Sequence, residues 1–177
     1  MDSRNEEGIA SLQSILSNTE VIHIYGAGLN SERPAHTAVG ELRDRGWAVA
    51  PLHPRDAGAT INGFPIRLEL EDGIVPEVVV LFLAPERARA VVRNLIIRFE
   101  REEFPLVWFQ IGAEDEQSRQ ALLEMDVPFV EHDCLDRLNG LCCLFWSVHY
   151  NGSVTALTRT VGGFILETAP HFPELSC

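Results

Sequence analysis

Strand-like and helix-like segments alternate along this chain, and this alternation most limits how it can fold. The strongest strand candidate, residues 77–83, is apolar on both faces, as a central strand of a parallel sheet should be. Strands joined through helices predict right-handed crossovers, with helices on both faces of the sheet. We therefore expect a Rossmann-like, doubly wound α/β fold with a mainly parallel, five-stranded sheet. The predicted strands are residues 21–25, 47–52, 77–83, 106–110 and 127–130.

The segments between these strands have the spacing of amphipathic helices. Pro34 suits a first helical turn and Gly46 a helix exit, because proline fits the start of a helix and glycine its end. A wide apolar stripe marks the third helix, and an acidic first turn that suits the helix dipole marks the fourth. The polar, Gly-rich residues 55–63 predict a loop. The expected helices are residues 8–17, 34–46, 86–103 and 114–125.

Residues 136–177 break the alternation. An apolar run that ends at Tyr150 is followed by Asn151-Gly152 and a second apolar run, which favours a β-hairpin. A helix remains an alternative, because periodicity does not decide the structure of a short apolar run. We interpret residues 1–135 as the Rossmann-like domain. Residues 136–177 are then a C-terminal extension, for which dimerisation is the expected role.

Composition excludes several classes of function. The net charge is −12, which argues against nucleic-acid or anionic-membrane partners, because both require a basic surface. No apolar run is long enough to span a bilayer, and the acidic start is not a secretory signal. The expected location is therefore the cytoplasm. The chain has no lysine, which excludes a Schiff-base lysine and a P-loop lysine, so Arg and backbone amides must hold any phosphate.

The cysteines and histidines predict no metal site and no catalytic group. The cysteines form no CxxC pair and no metal-ligand spacing with histidine, and we expect them to be reduced; they are Cys134, Cys142, Cys143 and Cys177. Cys134 is interpreted as a buried, inert thiol, because its acidic neighbour Asp133 raises the pKa of a thiol. His23, within a strand, is interpreted as a satisfied core residue and His36 as a surface residue.

Gly26-Ala27-Gly28 lies between a predicted strand and a predicted helix. Glycines at this position permit positive φ and let the backbone approach a phosphate. A dinucleotide fingerprint needs a third glycine where this chain has Ser31, so the pattern is incomplete. The residues alone therefore leave two interpretations open, a phosphate-binding loop and a tight turn of an α/β fold.

Longer segments resemble the stand-alone bacterial CoA-binding domain family, which is related to the CoA-binding domain of succinyl-CoA synthetase. The family pattern is Gly-Ala-Ser, then Asn-Pro-x-Arg-Pro-Ser, Gly-Tyr-x-Val-x-Pro-Val-Asn-Pro, Trp-x-Gln-x-Gly and Asp-Arg-Cys. The matching segments are Gly26-Ala27-Gly28, Asn30-Ser31-Glu32-Arg33-Pro34-Ala35, Gly46-Trp47-Ala48-Val49-Ala50-Pro51-Leu52-His53-Pro54, Trp108-Phe109-Gln110-Ile111-Gly112 and His132-Asp133-Cys134. The resemblance covers about residues 8–135.

The resemblance implies a protein that binds CoA or acyl-CoA. The residues themselves indicate no catalytic constellation and no metal cluster. The glycine loop with Asn30 and Arg33 would face the phosphates, and His53 and Pro54 would border the adenine. A predicted helix start near Glu86 independently directs amides to the same edge. The implied cofactor-binding residues are Gly26, Ala27, Gly28, Asn30, Ser31, Arg33, Pro34, His53, Pro54, Leu83, Ala84, Pro85, Arg87, Gln110 and Gly112.

The fold and the departures from the family pattern leave two other functions open. Gly28 and Ala35 replace serines, Thr37 replaces a basic residue and His53 replaces asparagine. One alternative is an NADP-linked oxidoreductase or redox sensor; His53 and Arg55, rather than an acidic residue, follow the second strand, which disfavours NAD. The other is an interaction module that binds no nucleotide and dimerises through residues 136–177.

Overall fold

The computed structural model describes residues 14–131 and the backbone of three further strands, residues 145–150, 153–160 and 163–167. The predictions for the four cysteines and for residues 1–13 fall outside the described residues. Of the helix predicted at residues 8–17, the described part is helical, and the helix continues to residue 18. The strands are β1 (Val21–Tyr25), β2 (Ala48–Leu52), β3 (Thr60–Ile61), β4 (Phe64–Pro65), β5 (Val78–Leu81), β6 (Leu106–Phe109), β7 (Phe129–Glu131), β8 (Phe145–Tyr150), β9 (Ser153–Thr160) and β10 (Gly163–Glu167). The helices are α1 (Pro34–Asp44), α2 (Pro85–Arg98), α3 (Glu116–Met125) and a 3₁₀ turn (Arg101–Glu103).

The main sheet has the strand order β10-β9-β8-β7-β6-β5-β1-β2. The five strands β2, β1, β5, β6 and β7 are parallel to one another, which confirms the Rossmann-like fold predicted from the alternation of elements. The strands β8, β9 and β10 continue the sheet in antiparallel fashion beyond β7. The structure therefore has strands, rather than the alternative helix, in the C-terminal extension.

Two apolar layers cover the sheet. On one face, Ile22 and Ile24 of β1 pack in a cluster that contains Ala38 and Leu42 of α1. On the other face, alternate residues of β5, such as Val79, belong to a cluster built with α2 and α3. All four residues of β5 are buried, because a central parallel strand contributes side chains to both layers. Within the described part of the chain, no helix has both the length and the apolar character needed to cross a bilayer.

The predicted loop at residues 55–63 needs a correction. Thr60–Ile61 and Phe64–Pro65 pair as a small antiparallel ribbon, and Asn62 and Gly63 form the connection with φ angles of 50° and 90°. Two consecutive positive φ angles are the requirement of a type I′ turn, for which Asn-Gly is the preferred sequence. The hairpin signal was therefore present, but its strands are only two residues long.

The predicted helix at residues 86–103 is also too long. The helix α2 ends at Arg98, and Phe99 adopts an extended conformation with φ −124° and ψ 135°. The Phe99 ring is buried against the sheet, and its burial stabilises the change of chain direction that returns the backbone towards β6. Residues 101–103 then form the separate 3₁₀ turn.

Candidate functional site

The carboxyl ends of four neighbouring strands form one row across the sheet. Tyr25, the last residue of β1, pairs with Leu52 of β2 and with Leu81 of β5, and Leu81 pairs with Phe109 of β6. The loops that follow these strands therefore leave the sheet along the same edge. The chain order reverses between β1 and β5, and ligands of open α/β sheets bind in the crevice at such a reversal.

Gly26 is the first residue beyond β1, and both its conformation and its surroundings require glycine. Its φ is 92°, and a Cβ atom there would lie 2.3 Å from the carbonyl oxygen of Phe82 in the loop after β5. Its N–H donates to the carbonyl oxygen of Leu52 at 2.8 Å. Gly26 thus joins the ends of three strands at the point where the chain order reverses.

Gly28 brings the loop after β2 against the loop after β1. A Cβ atom at Gly28 would lie 2.3 Å from the Oδ2 atom of Asp56 and 3.0 Å from the Cγ atom of His53. The CoA-binding pattern has serine at this position, and a serine side chain would collide with the Asp56 carboxylate. Glycine at position 28, in place of the family's serine, therefore leaves the space that the Asp56 carboxylate occupies.

Asp56 is a site residue that the sequence analysis missed. Its Oδ2 atom accepts a hydrogen bond from the backbone N–H of Leu29 at 2.9 Å and lies 3.1 Å from the Nδ1 atom of His53. The sequence argument considered only His53 and Arg55 after the second strand, and the structure adds the carboxylate of Asp56 at this place. The sequence signal was an aspartate four residues beyond β2, but the turn that directs it back to Leu29 could not be predicted.

His36 contacts this loop, so it is not the simple surface residue that the sequence predicted. It is half-buried in the first turn of α1, and its Nδ1 atom lies 3.0 Å from the carbonyl oxygen of Gly28. Because a carbonyl oxygen only accepts, Nδ1 must carry the hydrogen for a hydrogen bond to form. A neutral His36 then presents Nε2 as an acceptor.

The segment between the glycine loop and α1 is exposed. Asn30 organises it, because its side-chain oxygen accepts from the N–H of Glu32 at 3.0 Å and its carbonyl oxygen accepts from the N–H of Arg33. Ser31, Arg33 and Pro34 are exposed, and Pro34 begins α1 as predicted. The Asn30 side chain thus shapes the turn, while Arg33 extends beside it.

The segment after β5 lies on the other side of the crevice. Leu83 and Pro85 are half-buried, and Ala84 is the residue before α2, whose amino end has no side-chain cap. Uncapped amides at a helix amino end favour anions. Arg87 is exposed in the first turn of α2, and neither Arg33 nor Arg87 forms an ion pair with another residue in the range 14–131.

Gln110 and Gly112 follow β6, which β5 separates from β1. Gln110 is buried, whereas Gly112 is exposed with a φ of 87° and donates its N–H to the Glu114 carboxylate at 2.6 Å. The structure therefore brings Gly26, Gly28 and His53 together with the segment after β5. It leaves Gln110 and Gly112 one strand further along the edge.

A cavity of about 340 Å³ lies between the β1–β2 face and the segment that leads to β5, with Glu20 and Leu52 among its lining residues. His23 lines it and is only 7% exposed, and its Nδ1 atom has no hydrogen-bond partner among the described residues. The interpretation of His23 as a satisfied core residue is therefore wrong for this atom. Burial lowers the pKa of His23, Arg67 lowers it further, and Glu77 opposes both effects.

Comparison with known families matches the CoA binding domain over residues 20–139, which is more than half of the chain. The chain belongs to this family. The matched range begins just before β1 and contains the glycine loop, Asp56 and the segment after β5. Within the described residues, no cluster of His, Cys, Asp and Glu is arranged to hold a metal ion.

Solved structures of similar proteins support the same fold. A Thermus thermophilus protein, cell-free ID.343, is 29% identical and has a TM-score of 0.61, with 71% of this chain and 92% of that chain covered. A hypothetical protein from Pyrococcus horikoshii OT3 is 23% identical with a TM-score of 0.61, covering 72% of this chain and 87% of its own. A conserved hypothetical protein from Pyrococcus furiosus is 24% identical with a TM-score of 0.55, covering 66% of this chain and 96% of its own.

Proposed function

We propose that this protein binds CoA or an acyl-CoA at the carboxyl edge of its parallel sheet. The diphosphate lies against Gly26-Ala27-Gly28, the adenine beside His53 and Pro54, and the pantetheine arm towards Leu83 and Pro85. The observation that carries the proposal is the coincidence of two facts. The CoA binding domain match covers the glycine loop, and that loop lies where the chain order of the sheet reverses.

The residues at this edge are suited to hold phosphates without lysine. Arg33 is exposed on the α1 side of the crevice and Arg87 on the α2 side. A guanidinium group can donate two parallel hydrogen bonds to a phosphate, and the amino end of α2 adds backbone N–H groups. A local basic site of this kind is compatible with a net charge of −12, because the acidic residues can lie elsewhere on the surface.

The proposed role is ligand binding rather than catalysis. The groups at the edge are backbone amides, two arginines and the His53–Asp56 pair, which suit the binding of a phosphate-bearing nucleotide. Leu29 and Ile111 are large apolar side chains that are 50% and 60% exposed in the loops after β1 and β6. They offer apolar contacts for a pantetheine or acyl chain, because burial of such surface is favourable.

Isothermal titration of the full chain with CoA tests the proposal, and Arg87→Ala and Arg93→Ala form a matched pair. Both arginines are exposed on α2, but Arg87 lies in its first turn and Arg93 lies further along the helix. We expect Arg87→Ala to weaken CoA binding about tenfold, as the loss of a charge-assisted hydrogen bond would do. Arg93→Ala should bind like the wild type. The absence of CoA and acyl-CoA binding to the wild-type protein would contradict the proposal.

We also propose that the chain forms a homodimer through residues 136–177. The strand β10 is at one end of the main sheet, and an edge strand can pair with a second chain. Native mass spectrometry of the full chain tests this, and it also reports the mass of any retained ligand. A protein that stays monomeric across micromolar concentrations contradicts this proposal and leaves the ligand proposal unaffected.

A further inference from the structure

Asp56 lies between the glycine loop and His53. Its Oδ2 atom accepts the N–H of Leu29 at 2.9 Å and lies 3.1 Å from the Nδ1 atom of His53. The Asp56 side chain is 26% exposed and that of His53 is 20% exposed. The missing Cβ of Gly28 gives the carboxylate the room that it occupies.

The proposed placement of the ligand puts its ribose near Asp56. In the proposed site, the diphosphate lies on the glycine loop and the adenine beside His53 and Pro54. The ribose of the nucleotide joins these two groups covalently, so it must pass between the loop and His53. Asp56 contacts both, so in this placement its carboxylate lies beside the ribose.

A carboxylate at this position discriminates between a ribose with free hydroxyls and a ribose that carries a phosphate. An ionised carboxylate only accepts hydrogen bonds, so it can bind the free hydroxyls of an unmodified ribose. A phosphate on the same ribose would bring two groups of like charge together in a partly buried place, which is unfavourable. The imidazole of His53 lies beside the same carboxylate, with its Nδ1 atom 3.1 Å from Oδ2.

We propose that Asp56 selects nucleotides whose adenosine ribose carries no phosphate, so that 3′-dephospho-CoA binds more tightly than CoA. This inference rests on the proposed function of the glycine loop and narrows its ligand class. The competing arrangement uses Arg55, which is exposed and adjacent to Asp56, as a cation for the ribose phosphate. The two arrangements predict opposite preferences between the two ligands.

Titration calorimetry with CoA and with 3′-dephospho-CoA on the full chain decides between them. For the wild type we expect dephospho-CoA to bind at least about tenfold more tightly than CoA, a difference typical of one misplaced charge. Asp56→Asn keeps the side-chain shape and an oxygen acceptor for Leu29 but removes the charge. It should bring the two affinities within about threefold of each other, mainly through tighter binding of CoA. Asp72→Asn, at a fully exposed aspartate that faces Arg98, serves as the matched control and should keep the wild-type ratio.

The outcomes separate this inference from the proposed function. Equal or tighter binding of CoA by the wild type overturns the inference, and loss of that preference in Arg55→Ala would assign it to Arg55 instead. An unchanged ratio of the two affinities in a folded Asp56→Asn variant also overturns the inference.

Failure of both ligands to bind overturns the proposed function. In that case, binding of NAD that weakens in Asp56→Asn would still support a ribose contact. If Asp56→Asn does not fold, the wild-type ratio alone decides.

Discussion

The backbone of Gly26 approaches that of Phe82 so closely that a Cβ atom on Gly26 would lie 2.3 Å from the Phe82 carbonyl oxygen. This contact joins the loops after β1 and β5, which are the two sides of the proposed crevice. The obstacle is backbone rather than a side-chain end, so it cannot be relieved by a rotamer change. Gly26 is therefore required by the fold as well as by the proposed ligand.

Gly26→Ala should destabilise the protein more than the same change at Gly58. Both glycines have φ near 90°, but a Cβ atom at Gly58 would meet nothing within 4 Å. The positive φ alone should cost about 1–3 kcal/mol of unfolding free energy in each variant. The clash should add about 1–3 kcal/mol for Gly26→Ala, as overpacking does. Urea denaturation measures both, and equal losses would show that the Phe82 contact relaxes without cost.

The contact between Gly28 and Asp56 should appear as coupling in a double-mutant cycle. In Gly28→Ala the new methyl group must displace the Asp56 carboxylate, which breaks its hydrogen bond with Leu29. We expect a loss of about 1–2 kcal/mol in the wild-type background and a smaller loss in Asp56→Ala. The expected coupling energy is about 0.5–1.5 kcal/mol, measured by urea denaturation of the four proteins. If the losses of unfolding free energy in the two single variants simply add in the double variant, Asp56 does not restrict the side chain at position 28.

The fold could be predicted from the sequence because its signals are local and repeat along the chain. Three such signals indicate the same α/β fold: the apolar residues 78–81, the proline at the start of α1, and the alternation of strands and helices. The exact end of α2 could not be predicted, because Phe99 continues the helical stripe. The extended backbone of Phe99 depends on the position of the sheet, against which the ring packs.

The proposed site was predicted only in part, for a different physical reason. The glycine loop and its resemblance to a family are readable, because adjacent residues carry them. The contact of Asp56 with Leu29 joins residues that are 27 positions apart, and it depends on the turn after β2. Among residues 14–131, the Nδ1 atom of buried His23 has no hydrogen-bond partner; this depends likewise on the packing of a distant segment, and no local pattern reveals it.

Asp115 should stabilise the start of α3 through its charge. Its burial alone would raise the pKa of the carboxyl. The N–H and hydroxyl of Ser118 and the guanidinium of Arg89 outweigh this effect, so the pKa is lowered overall. Arg89 contacts Asp115 at 2.7 Å, and the Ser118 N–H donates to it at 2.8 Å. A lowered pKa contributes stability that is complete above the unfolded value near 3.8 and is lost as pH falls through the folded value.

Asp115→Asn should therefore lower the unfolding free energy at pH 7 by about 1–2 kcal/mol, because it removes the charge and keeps an oxygen for the cap. Glu116→Gln, an exposed residue of the same turn, is the control and should change stability by less than about 0.5 kcal/mol. Urea denaturation between pH 3 and 7 measures both. The difference between Asp115→Asn and wild type should shrink at the acid end. A constant difference across this range would show that the charge of Asp115 does not contribute.

His23 should make the protein less stable as the pH falls below about 6.5. Burial lowers its pKa first, with a smaller lowering by Arg67 and an opposing effect of Glu77, so the folded state binds a proton less readily than the unfolded state. The stabilising contribution of neutral His23 is therefore complete above the unfolded pKa of 6.5 and is lost as pH falls towards the folded value. One proton limits the slope to about 1.4 kcal/mol per pH unit. The variant His23→Leu cannot titrate at this position. Its unfolding free energy minus that of the wild type, measured by urea denaturation, should therefore increase as the pH falls from 7.5 to 5.5. A difference that stays flat over this range would mean that a folded-state partner or solvent accommodates the charged imidazole in the cavity.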